Sequence, residues 1–292
     1  MKLITELPLE LKNACKCEPI DPDWPIQDPV QALNLLYEWD ALEGLPEKTL
    51  FEQIFGLTHS HHHEYEELDR LGVARLYKEG RYTKCVSIAW HLAGRYTYDE
   101  EFIRILSAAN WKINGRAPRL IDFGAAPWIQ SIFYANKGMN VTAVNQSIES
   151  DAHRFGRFLA EKQGYYKLGV TGGRQVWVHN DPNKGTISEY NSDDRGWQIR
   201  AFDIVYAIDV FEHIPPDPDG TAGWIKYADM LYECFVPGGI WYVNAPFDIQ
   251  DGPIHPVESH PVHYTFPYTI QEWNAKKGLV QKLYMWYKSE SG

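Results

Sequence analysis

RLIDFGAAPWIQSIFYANKGMNVTAVNQS, Arg119 to Ser147, reads as strand, tight turn of small residues, helix and strand. Leu120 and Ile121 are the end of an apolar strand that Asp122 closes. Phe123-Gly124-Ala125-Ala126-Pro127 is the turn. Gly124 can adopt backbone angles barred to other residues, and the alanines let a ligand approach the main chain. Pro127 suits a first helical turn, where its missing N–H is no loss. Ile129, Ile132 and Phe133 then give one apolar face at helical spacing. Lys137-Gly138 ends that helix, and Val141 to Val144 is a second buried strand ending at Asn145. A unit of this kind is expected to leave free N–H groups at the carboxyl end of a parallel sheet, where ligands bind.

Two nucleotide-site patterns can be set against this turn. A dinucleotide site wants G-x-G-x-x-G, but Ala126 and Trp128 stand at the positions spaced from Gly124. A phosphate-cradling loop wants several glycines and a lysine, and this turn has neither. An acid at the end of the first strand points instead to a ligand with a cation or hydroxyls. The stretch resembles the first motif of class I S-adenosylmethionine-dependent methyltransferases, an acid followed by glycines at alternating positions. Three further segments resemble that family in the same order. Phe202 to Ile214, FDIVYAIDVFEHI, is similar to its fourth-strand motif. Phe235 to Ile240, FVPGGI, is similar to the turn before its fifth strand, with Trp241 to Asn244 as that strand. His263-Tyr264-Thr265-Phe266, a helix and then Gly278-Leu279 are similar to the segment before its sixth.

The resemblance implies an α/β, Rossmann-like class I methyltransferase sheet, mostly parallel, with helices on both faces. It also implies S-adenosyl-L-methionine as cofactor. The cofactor's ammonium would meet Asp122 and the main chain around Gly124, Ala125 and Ala126. Its ribose would meet Asn145, with Gln146 beside it, where the family usually has an acid. An amide accepts through one oxygen and donates through nitrogen, so the contact differs from a carboxylate's. Gln175 to His179 is read as the third strand, which gives the adenine to Asp181. Asp209, at the end of the fourth strand, lies on the cofactor side and among the candidate bases. Trp128 stands where the family prefers glycine; covering the cofactor and packing under the sheet are equally good readings.

Methyl transfer to a hydroxyl benefits from a general base. The candidates are Asp209 and His213 after the fourth strand, and His260 and His263 in the loop after the fifth. Prolines hold that loop, HPVESHPVH, extended. No metal is assigned: His59, His61, His62 and His63 read as a solvated loop, since adjacent loop histidines point in different directions.

The 292 residues are 44% hydrophobic, enough for a large core. Residues 1–110 are expected to form a Pro-rich strap and a helical cap. Helices are predicted from Asp28-Pro29 (apolar face Ala32, Leu35, Leu36, Trp39), from Pro46, over Glu64 to Lys78, over Lys84 to Ala93, and from Asp99 to Trp111. Residues 111–292 are expected to form the cofactor-binding core, with an amphipathic helix over Ser150 to Gly164, a helix over Ala222 to Phe235, and an inserted loop or hairpin near 182–200. The family usually adds a final antiparallel strand, and the reading leaves open whether it is present. The net charge of −11 disfavours a long nucleic-acid footprint, which needs Lys and Arg. Four cysteines without paired spacing read as free thiols in a reducing compartment. The opening MKLITELPLELK has no secretory pattern, and no run approaches the roughly 18 apolar residues of a membrane span. A cytoplasmic protein is expected. Its function is read as methyl transfer to an oxygen, second to a nitrogen, of a small-molecule acceptor. Two alternatives stand beside it. DFGAAP echoes the turn of RNA ribose methyltransferases, although the lysine of that group is missing from strand four. Asn145 and Trp128 fit a non-catalytic binding subunit with a decayed cofactor site.

Overall fold

A computed structural model describes residues 22–27, 29–42, 115–125, 127–145, 151–171, 174–192, 202–208, 210–211, 214, 223–244, 277, 280–282 and 285–287. The helices predicted between Pro46 and Trp111 lie outside the described residues. The described elements are α1 (Pro29–Leu42), β1 (Arg119–Phe123), α2 (Ile129–Asn136), β2 (Asn140–Asn145), α3 (Asp151–Lys162), β3 (Tyr165–Thr171), β4 (Arg174–His179), β5 (Ile187–Asn191), β6 (Phe202–Ile208), α4 (Gly223–Cys234), β7 (Phe235–Asn244), β8 (Val280–Lys282) and β9 (Met285–Tyr287).

The strands form one sheet in the order β3-β4-β5-β2-β1-β6-β7-β9-β8. β5, β2, β1, β6 and β7 are parallel neighbours. β9 runs antiparallel between β7 and β8. Without the β3–β4 hairpin, this is the doubly wound sheet expected of a class I methyltransferase fold. The final antiparallel strand left open by the sequence is β9.

Two expectations fail here. Gln175 to His179 is a strand, β4, but it runs antiparallel to its neighbours. The third parallel strand is β5, inside the segment expected as an insertion. The run Ile187-Ser188-Glu189-Tyr190-Asn191 is more polar than an ordinary buried strand. Glu189 is nonetheless buried, because Arg157 of α3 donates to both its oxygens, Nε at 2.8 Å and Nη2 at 3.1 Å. The expected turn at Phe235 to Ile240 is also absorbed into β7. Pairing jumps from Phe202–Phe235 to Ile204–Ile240, so Val236 to Gly239 form an irregularity within the strand.

Register divides the side chains between two faces. Ile121, Phe123, Val205 and Trp241 pack with Phe211 and with Trp224, Ala228 and Leu231 of α4. Asp122 and Ala143 pair on the other face, under α2 and α3, where Tyr134 meets Tyr206 edge-on at 5.2 Å. At the amino edge, Arg116 grips the buried Asp203 carboxylate with two nitrogens, at 2.6 and 2.8 Å. The Arg119 N–H donates to the same carboxylate at 2.9 Å. This ties the start of β1 to the start of β6.

Residues 22–27 of the N-terminal segment lie against α2 and the end of α3. Trp24 meets Phe133 at 4.7 Å. Asn136 donates to the Asp23 carbonyl at 2.7 Å, and Gln163 to the Pro25 carbonyl at 2.9 Å. The predicted face of α1 is buried, with Trp39 against Phe155 and Phe158 of α3. Burying side chains of this size stabilises by about 1.5–3 kcal/mol each. Among the described residues no helix is long and apolar enough to cross a membrane.

Candidate functional site

The chain winds outward from β1 in both directions, so β1 and β6 flank the switch point where open α/β sheets bind ligands. Gly124 ends β1 there with φ +87°, in the left-handed region. Its N–H and that of Ala125 both donate to the Val144 carbonyl, at 2.8 and 3.1 Å. The expected free N–H groups are thus not these two; the turn uses them to fasten itself to β2. A Cβ on Gly124 would lie 2.5 Å from Val210 Cγ2. Glycine is required at this position for contact with the chain leaving β6.

Asp122 is 3% exposed and its carboxylate accepts from Ser131 Oγ at 2.5 Å. It braces the first turn of α2 from beneath. Asn145 is half-buried at the carboxyl end of β2. The register Asp122–Ala143 puts Asp122 and Asn145 on the same face of the sheet. Asn145 pairs with Asn191, and its carbonyl accepts the Ser192 N–H at 2.8 Å. Half-buried Asn145 and Asn191, with buried Ser192, therefore form an uncharged polar shelf across the ends of β2 and β5.

Asp181 lies at the opposite edge, and this corrects its assignment to adenine. β4 runs antiparallel to β5, so its end points to the amino edge of the parallel strands. There the Asn183 N–H and side-chain amide both donate to Asp181 Oδ1, at 2.9 and 3.0 Å. The Asn183 carbonyl in turn lies against Gly138, just before β2. The bond from the Asn183 backbone leads in holding the Asp181 carboxyl below its usual range. Asn191 and Ser192 occupy the end of the true third strand. No local pattern marks them in the sequence, because the charge that lets Glu189 be buried is Arg157 on α3. Ala126, Gln146, Asp209, His213, His260 and His263 lie outside the described residues. Among the described residues no cluster of three or more His, Cys, Asp or Glu could hold a metal ion.

Trp128 packs under the sheet edge instead of over a ligand. It is fully buried and caps α2 with φ 68°. A left-handed backbone costs a non-glycine residue roughly 1–2 kcal/mol. Its indole N–H donates to His153 Nε2 at 3.1 Å, and its ring meets Trp177 edge-on at 6.1 Å. His153 is fully buried, with Glu189 Oε2 3.9 Å away. Burial, then the Arg157 charge, pushes this imidazole down to about 3, so it is neutral and can accept from Trp128.

No protein-family model matches the chain, and no curated protein matches it by sequence. Among solved structures it is similar to an O-methyltransferase family protein from Burkholderia thailandensis, at 12% identity and TM-score 0.48, over 82% of this chain and 73% of that one. It is similar to Haemonchus contortus phospholethanolamine N-methyltransferase 2, in complex with phosphomonomethylethanolamine and S-adenosylhomocysteine. That match has 16% identity and TM-score 0.37 over 63% of this chain, which spans 38% of the Haemonchus chain. A third, the CurJ carbon methyltransferase, has 10% identity and TM-score 0.38 over 92% of this chain and 77% of that one. Likeness at this level carries no argument about chemistry, which rests on the site's own residues.

Proposed function

We propose that this protein is an S-adenosylmethionine-dependent methyltransferase acting on an oxygen of a small-molecule acceptor. The observation that carries the reading is the placement of Asn145 and Asn191 together at the carboxyl edge, on the face of Asp122 and beside the Gly124 turn. An adenosine moiety presents a diol and a base edge, both of which need hydrogen-bonding groups. Asn145 Oδ1 would accept from one ribose hydroxyl, and its Nδ2 would donate to the other. Asn191 and Ser192 would meet the base edge. The bound sulfonium would supply a methyl carbon already open to SN2 displacement. The chain's share is alignment of the acceptor and removal of its hydroxyl proton. Asp209, His213, His260 and His263 are the residues proposed for that proton.

A second reading has its own support. Val210 fills the space above Gly124, and both turn amides are engaged with Val144. That fits a partner subunit that kept the fold and lost the ligand. Titration calorimetry with S-adenosylmethionine and S-adenosylhomocysteine separates the two. Binding in the micromolar range, followed by transfer of a labelled methyl group to hydroxylated small molecules, is expected. Absence of heat at millimolar ligand would sink the enzyme reading.

A further inference from the structure

Trp128 is the one non-glycine residue with positive φ among the described residues, and it lies in the turn that follows β1. A bulky side chain stays in that conformation only when its surroundings over-determine it. Three restraints do so. The Trp128 N–H donates to the Ala125 carbonyl at 2.5 Å, closing the turn on itself. The indole N–H is held by His153. Gly156, one turn further along α3, opens a slot: a Cβ there would lie 2.6 Å from Trp128 Cγ and 2.8 Å from the Pro127 carbonyl oxygen. A tryptophan that only filled the core would gain nothing from a strained backbone.

We propose that Trp128 is a positioning residue. Latched into α3 by His153 and Gly156, it fixes the shape of the turn at Gly124 and Ala125 and so sets cofactor affinity from behind the site. The affinity half rests on the methyltransferase reading; the latch itself does not. Its partners reach from α3 to β5, since His153 neighbours Glu189 of β5, which Arg157 holds by two bonds.

The test compares Trp128→Phe, His153→Leu, His153→Gln and Gly156→Ala with Trp241→Phe, a buried core change on the far face. Hydrogen exchange of the Gly124 and Ala125 amides is followed in the ligand-free protein, and S-adenosylhomocysteine affinity by calorimetry. Trp128→Phe, His153→Leu and Gly156→Ala are expected to speed exchange of both amides and weaken binding by about tenfold each. His153→Gln, which keeps an acceptor for the indole, restores both. Trp241→Phe lowers the melting temperature without moving either. Gly156→Ala also inverts the usual rule, because alanine ordinarily stabilises a helix relative to glycine. The latch is overturned if exchange is unchanged in Trp128→Phe and Gly156→Ala, or if it rises equally in Trp241→Phe. Should the wild type bind no cofactor while the exchange effects hold, the enzyme reading falls and the latch stands. Should the wild type bind and the exchange effects hold while affinity stays constant in the latch variants, the link from turn to cofactor is refuted.

Discussion

Asn145 is where the site departs most from the family it resembles, and its consequence is measurable. A carboxylate accepts from both hydroxyls of a diol, whereas the amide accepts only one. Asn145→Asp is expected to tighten S-adenosylhomocysteine binding several-fold, and Asn145→Ala to weaken it by about tenfold, in titration calorimetry. His153 gives a second test at this scale. Its folded value, about 3, lies below the 6.5 of the free side chain, so the unfolded chain binds the proton first. Its stabilisation is complete above pH 6.5 and falls as acid is added from there toward pH 3. The slope is at most about 1.4 kcal/mol per pH unit. Urea midpoints at pH 7 and pH 5 should separate more in the wild type than in His153→Leu. The places of Gly124 and Asn145 at strand ends were legible because each follows a short, mostly apolar run. The place of Trp128 was not, because its reason is a glycine and a histidine on another helix, 28 and 25 positions away in the numbering.

Among the elements, β5 shows how a buried charge hides a strand. Arg157 and Glu189 are each other's reason for being where they are. Arg157→Leu leaves a carboxylate buried without its partner and is expected to cost about 3–5 kcal/mol in urea unfolding. The double change Arg157→Leu with Glu189→Leu should recover much of that loss. Equal losses from the single and the double change would show that the pair is not the strand's anchor. β1 and β2 could be read from their apolar runs, β6 and α4 from the resemblance to the family's fourth- and fifth-strand segments, and the α1 face from helical spacing. β5 and the start of β7 could not, since a neutralising cation on another helix or a glycine irregularity leaves no local pattern. Misplacing one strand carried Asp181 to the wrong edge of the sheet with it.

At the scale of the molecule, sheet order was legible because four motifs occur in sequence along the chain. What lies outside that order is the β3–β4 hairpin, which extends the sheet and leaves β3 outermost among the described strands. Tyr166, Leu168 and Val170 on β3 are exposed. Its pairing with β4 slips between Lys167 and Gly169, and Gly169 has φ +143°. An outermost strand with unused main-chain groups is a template for another chain, and an irregularity or a lysine blunts it. Deleting Leu168 would restore an even ladder along β3 and present an uninterrupted row of unused main-chain groups. Such a variant is expected to scatter light increasingly with concentration while the parent does not. If it remains monodisperse, the kink is ornamental; if it strings together, one surplus leucine is what keeps each copy to itself.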